Sequence, residues 1–267
     1  MNINYGIKTG FNEAFIIDTA TKERLCSEDV NSEKTIKPVL RGRDIKKYGA
    51  EWAGLWVIFI PWHFPLQENQ EITGSSEAAE QEFKKQYTAI YQHLLKFKNE
   101  LLARNKAETG IRYEWYALQR CAATYYKEFE KKKIIWQEIV QESSFIYDDK
   151  EKYYCLDTAR IMTGKNLKFL LCIFNSKLFF YAIKVFYGGG GLGEHGVRMK
   201  HTFFELFSIP KLSASEQKPY IKLVDKILTA KKAGQDTHDL EAQIDNLVYA
   251  LYGLNEAEIA IVEGKNK

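Results

Sequence analysis

The spacing of hydrophobic and polar positions changes several times along the chain, and each change predicts a different element. From Ser76 to Arg104 the apolar residues Phe83, Tyr87, Ile90, Leu94, Phe97 and Leu101 recur at alternating steps of four and three. That stripe predicts one long amphipathic helix, with Lys84, Lys85, Lys96 and Lys98 on its other face. The opening YGIKTGFNEAFIIDTATKERL predicts a glycine-punctuated loop, a strand over Ala14 to Asp18 and, after a turn, a second short extended run. LWVIFIP, at 55–61, is a continuous apolar run ending at proline and predicts a buried strand. KKIIWQEIV, at 132–140, groups β-branched and aromatic residues and predicts another, with FIYDD and KYYCLD as its neighbours in one sheet. Leu167 to Tyr187 returns to helix. The GGGGLGEHG after it predicts a mobile loop, because glycines lose the most backbone freedom on ordering.

Beyond Pro210 the pattern is helical. Helices are predicted over 220–232 and 236–252, the second with Leu240, Ile244, Leu247, Val248 and Leu251 on one face. Gly253 is placed to cap its C-terminus, and Asn255 with Glu258 forms a capping box for a last short helix. The expected fold is α+β: a mixed sheet with long amphipathic helices over 1–212, then a C-terminal helical tail over 213–267.

Composition narrows the class. With 267 residues, 45% hydrophobic and 27% charged, the chain has enough apolar material for one large or two small globular domains. Its longest apolar stretch, Phe169 to Tyr187, is interrupted by Asn175, Lys177 and Lys184. A membrane span needs about 20 nearly uncharged residues, so no membrane partner is expected. The first residues lack the basic segment and apolar core of a secretory signal, which makes the cytoplasm the expected location. Cys26, Cys121, Cys155 and Cys172 are scattered, without metal-site spacing, and are expected to be reduced and mostly buried.

Signs of catalytic chemistry are sparse. The chain has no Asn-Pro-Pro-aromatic motif of the kind amino-methyltransferases use to hold a flipped base. The glycine run comes after a predicted helix, whereas phosphate-cradling loops come after a strand, so a flexible connection is the simpler reading. Asp148, Asp149, Glu151 and Lys152 crowd one polar turn that a solvated loop explains better than a magnesium-dependent nuclease site. His63, His93, His195, His201 and His238 form no i, i+4 metal pair, and His93 is expected at a surface or rim. The chain is therefore expected to be non-catalytic alone and to hold no cofactor of its own.

The remaining material suits nucleic acid. A net charge of +3 is mild, but Lys34, Lys37, Arg41, Arg43, Lys46 and Lys47 face only Glu33 and Asp44 between residues 33 and 48. In GIKTGFN, Gly6 and Gly10 would let the backbone approach a phosphate while Lys8, Thr9 and Asn12 donate to it; a hairpin turn is the alternative. Arg41 and Arg43 share a side if their segment is extended, although one can pair with Asp44 instead. Tyr5, Tyr48, Trp136 and Tyr187 lie near basic segments, though most aromatics serve cores.

Several segments, in order, resemble the TaqI-like C-terminal specificity domain of type II restriction-modification enzymes and adenine-specific DNA methyltransferases. They are YGIKTGFNEAFIID (5–18), TIKPVLRGRDIKKY (35–48), YTAIYQHLLKFKNELLAR (87–104), EWYALQ (114–119) and KIIWQEI (133–139). Later come FLLCIFNSKL (169–178), FSIPKL (207–212) and LEAQIDNLVYALYGLNEAEIAIVE (240–263). The resemblance implies a target-recognition domain that binds double-stranded DNA. It would direct an adenine-specific methyltransferase, and often an endonuclease, lying N-terminal in the same polypeptide. S-adenosylmethionine, and Mg2+ where a nuclease is present, belong to those upstream domains, and the chain is expected to be a C-terminal part. It departs from the pattern in a polar insertion, 63–86, and in the glycine-rich 188–196. Since members read different sequences, the departure over Gly188 to His201 becomes the expected reading surface, with Arg198, Lys200 and His201 as donors and Trp136, Gln137 and Ser143 as the next candidates. The alternatives are a protein-interaction domain docking through its helical tail, and an autonomous nuclease at the acidic turn.

Overall fold

The computed structural model describes residues 1–104, 109–120, 125–150 and 152–265, so the expectations for Cys121 and Glu151 lie outside the described residues. The strands in chain order are β1 (Asn2–Tyr5), β2 (Ile16–Ile17), β3 (Ile36–Leu40), β4 (Ile45–Lys46), β5 (Gly49–Ala50), β6 (Trp56–Ile58), β7 (Lys133–Gln137), β8 (Ile139–Val140), β9 (Phe145–Asp148), β10 (Tyr154–Cys155), β11 (Ala159–Thr163) and β12 (Val197–Arg198). The helices are α1 (Asn12–Phe15), α2 (Thr19–Glu28), α3 (Ser32–Thr35), α4 (Glu77–Gln86), α5 (Thr88–Leu95), α6 (Lys98–Ala103), α7 (Leu167–Phe174), α8 (Lys177–Val185), α9 (His201–Phe204), α10 (Ala214–Lys232), α11 (His238–Tyr252) and α12 (Glu256–Val262). The fold is α+β, as its hydrophobic periods require.

A central antiparallel sheet runs in the order β1-β11-β7-β9. Strand alternation gives each face its own core. Ile135, Ile146 and Ile161 point into a cluster built from the N-terminal segments and α5. Ile134, Trp136, Phe145 and Met162 point into the other, built from α7, α8 and the tail helices. A second sheet, β10-β3-β6-β2, is mixed because β10 pairs parallel with β3 while β3, β6 and β2 pair antiparallel. KYYCLD therefore joins this second sheet, and the other neighbour of β7 is β11.

Four other expectations need correction. Of residues 14–18, Ala14 and Phe15 end α1, Ile16 and Ile17 form the two-residue β2, and Asp18 precedes the next helix. The next segment, Thr19–Glu28, is helix, because the Asp18 carboxylate accepts the Thr21 N–H at 2.8 Å and caps α2. The 76–104 stripe is buried at Phe83, Ile90, Leu94 and Leu101, yet non-helical backbone at Tyr87 (φ −132°, ψ 55°) and Phe97 (φ −112°, ψ 16°) breaks it into α4, α5 and α6. The breaks re-aim successive turns onto one core. The 167–187 helix likewise breaks at Asn175, whose buried amide accepts the Phe145 N–H at 3.0 Å and donates to the Phe145 carbonyl at 2.9 Å. Ser176 then caps α8 through the Phe179 N–H.

Packing continues across residue 212, since Val224, Ile227, Ile244 and Val248 share the core of Trp136 and Phe179. Gly253 ends α11 at φ 68°, and Asn255 with Glu258 forms the capping box of α12. Cys155 and Cys172 are buried, and burial pushes the Cys155 thiol up to about 12. Among the described residues, no helix is long and apolar enough to cross a membrane.

Candidate nucleic-acid interface

Antiparallel pairing brings the end of β1, the end of β7 and the start of β11 to one edge of the central sheet, where Tyr5 faces Arg160 and Gln137 faces Ala159. Because β3 runs parallel to β10, the turn after Leu40 emerges beside the 156–158 turn. Backbone hydrogen bonds join these loops: Gly6 N–H to Ala159 at 3.0 Å, Ile7 N–H to Cys155 at 2.8 Å, Glu138 N–H to Thr158 at 3.0 Å and Met199 N–H to Glu138 at 2.6 Å. Lys8 and Arg120 exchange main-chain bonds of 2.9 and 3.4 Å. Gly42 rests on the Gln137 side chain, whose Cδ would lie 2.8 Å from an added Cβ. Segments remote in sequence thus form one continuous rim.

The candidate donors differ in how free they are. Among the described residues, no carboxylate lies within ion-pair distance of Lys8, Arg43, Arg120, Arg198 or Lys200. Arg43 and Arg120 are exposed, and Lys8, Arg198, Lys200 and His201 are half-buried. Lys8, Thr9 and Asn12 line a shallow depression with Asp157 and Thr158. Thr9 itself is buried and donates to Asn12 Oδ1 at 2.6 Å, so it shapes the loop and has no free hydroxyl proton for a phosphate. Gly6 is needed for fold geometry, since a Cβ there would meet the Leu156 carbonyl at 2.0 Å.

Arg41 takes the alternative left open by its sequence. Its Nε and Nη2 donate to the Asp44 carboxylate at 3.0 and 2.8 Å. Burial pushes the Asp44 carboxyl upward, but hydrogen bonds and charge from Arg41 hold it below the usual carboxylate range. Lys46 lies 3.7 Å from Glu51, and Lys47 is 2.9 Å from Glu241 on α11, largely covered.

Trp136 is fully buried and donates its indole N–H to the Met199 carbonyl at 2.9 Å, which removes it from the reading surface. It is a core residue because odd and even positions of β7 face different clusters. Ser143 is also buried, with no partner for its hydroxyl among the described residues. Gln137 is half-buried beneath Gly42. The glycine segment is pinned at both ends: Arg198 N–H donates to the Gly189 carbonyl at 2.7 Å, and β12 pairs with β8. A Cβ on Gly189 or Gly196 would lie 2.6 Å from Ile183 Cγ2 or 2.7 Å from the Val140 carbonyl, so close packing accounts for these two glycines. His93 is buried rather than on a rim, with Nε2 3.0 Å from the Ala14 carbonyl, and burial lowers its pKa.

The model of the TaqI-like C-terminal specificity domain matches residues 37–210. The chain belongs to this family. The specificity domain is 25% identical over 260 residues to the type II methyltransferase M.MjaIV of Methanocaldococcus jannaschii, covering 95% of this chain and 80% of that protein. It superposes, with a TM-score of 0.65 and 13% identity, on the type IIL restriction-modification enzyme MmeI, solved in complex with DNA. That match covers 98% of the specificity domain but only 35% of the larger enzyme. A looser likeness, TM-score 0.44 at 13% identity, covers 94% of this chain and 30% of the type IIG restriction endonuclease BpuSI.

The acidic turn sits at the end of β9 away from the rim. Asp148 is buried against Lys133 at 2.8 Å and accepts the Lys152 and Tyr153 N–H groups at 3.1 and 2.8 Å, a structural arrangement. Among the described residues no group of three His, Cys, Asp or Glu side chains could hold a metal ion.

Proposed function

We propose that this specificity domain reads a defined sequence in double-stranded DNA and that the rim is its contact surface. The observation that carries this reading is the gathering of Lys8, Arg43, Arg198, Lys200 and His201, from three separate segments, along one edge where no carboxylate among the described residues pairs the four cations. Such free cations suit phosphates, and loop side chains among them suit base edges. The fold shared with an enzyme solved in complex with DNA supports a DNA-reading role. Methyl transfer with S-adenosylmethionine would be supplied by a methyltransferase domain N-terminal in the same polypeptide, and Mg2+ would serve a nuclease if one accompanies it. The docking alternative has no observation in its favour, because the apolar faces of α10 and α11 are used inside the domain.

Selection from random duplex DNA should enrich one motif. Removing one phosphate contact should flatten the plot of log K against log salt by about 0.9. Arg43→Ala is expected to do so on cognate and random duplexes alike. Enrichment of no motif would sink the proposed function, and an unchanged salt slope would place Arg43 away from the backbone.

A further inference from the structure

Near the middle of the rim stands a cluster that phosphate binding alone does not explain. Tyr5 is 43% exposed at the end of β1. Its cross-strand partner Arg160 lays its guanidinium 4.1 Å from the Tyr5 ring centroid. Arg160 is buried and engaged: Nη1 donates to the Asp157 and Ala159 carbonyls at 2.8 and 3.0 Å, and Nη2 pairs with the Glu138 carboxylate. A second guanidinium, that of Arg120, lies 5.3 Å from the same centroid. Arg120 is exposed, its main chain is tied to Lys8, and among the described residues its side chain has no acceptor. The His201 ring stands edge-on to Tyr5 at 6.2 Å.

An arginine drawn to an aromatic ring keeps its charge and all its donors while its freedom is reduced. Reduced freedom lowers the entropy lost when a partner binds. A phosphate needs charge and tolerates many orientations, so the point charges of Lys8 and Lys200 serve it well. The O6 and N7 acceptors of guanine lie in one plane in the major groove, and a held guanidinium fork matches them with two parallel bonds. We propose that Arg120 reads one guanine of the target, and that Tyr5 and Arg160 position it. The inference rests on the DNA-reading function above and names a residue that does the reading.

The test starts from the motif selected by the wild-type chain. Arg120→Ala should lose about tenfold or more of the preference for one G·C pair, while affinity for random duplex changes by less than about threefold. Tyr5→Ala should reproduce the loss, and Tyr5→Phe should keep the wild-type preference because the ring remains. With 7-deazaguanine at that pair, which lacks the N7 acceptor, the wild type should lose affinity and Arg120→Ala should lose no more. Unaltered preferences in Arg120→Ala would overturn the inference while leaving the DNA-reading function standing. Equal losses on cognate and random duplexes would also overturn it, making Arg120 a phosphate contact. A wild-type chain that selects no motif overturns both.

Discussion

Lys47 and Arg43 belong to one cationic run, but their surroundings give them different work. Lys47 is held at 2.9 Å by Glu241, which also receives Lys231 at 3.3 Å, and both partners of the first pair are largely covered. Burial pushes the Glu241 carboxyl upward, but the Thr237 hydroxyl and Lys47 bring it below the ordinary glutamate value. Stability from a carboxylate lowered in the folded state is present above its unfolded pKa, about 4.3, and is lost as pH falls through the lower folded value. Lys47→Met should therefore lower stability near neutral pH by about 1–2 kcal/mol and reduce the loss on acidification, leaving the DNA salt slope unchanged. Urea melts at neutral and acidic pH, with salt titrations beside them, check both halves. Trp136 gives the complementary case at a fully buried site. Trp136→Phe should cost about 1–2 kcal/mol with the base preference of the folded protein intact, and an altered preference would return Trp136 to the reading surface.

At the scale of elements, the rim depends on how β1 leaves the sheet. The Gly6 N–H bonds to Ala159, and the absence of a side chain lets its backbone lie against the Leu156 carbonyl. Gly6→Ala puts a methyl group 2.0 Å from that oxygen, so either β1 or the 156–158 turn must move. The expected loss is about 2 kcal/mol or more, together with weaker binding to every duplex, since Lys8 and Tyr5 flank this position. Denaturant melts and affinities for cognate and random DNA measure the two effects. A variant with wild-type stability would show that the turn relaxes freely.

Across the whole molecule, the sheet is the wall between two cores, and the tail completes one of them. Val224, Ile227, Ile244 and Val248 cover α7 and α8, and Lys168 on α7 meets Asp225 on α10 at 2.6 Å. A chain ending at residue 212 would expose that apolar surface. It is expected to be aggregation-prone or to lose its cooperative melt, even though every candidate rim residue is retained. A soluble 1–212 fragment with the melting temperature of the full chain would refute this.

Local sequence was enough for whatever depends on neighbours a few residues away. The 83–101 stripe, the strand at 133–137, the Gly253 stop and the Asn255–Glu258 box were legible because helical and strand periods and caps are local interactions. Contacts between distant segments settled the rest. They broke the long helix at Tyr87 and Phe97, sent Tyr154–Cys155 to β3 rather than β7, and buried Trp136 and Thr9. They also separated Arg43 from Lys47, which no local pattern distinguishes, because the partner of Lys47 comes from α11. Arg120 and Tyr5 meet for the same reason: strand pairing and the Lys8–Arg120 bridge join segments that lie far apart along the chain. A side chain's charge is written in the sequence, but whether that charge is free depends on what folding brings beside it.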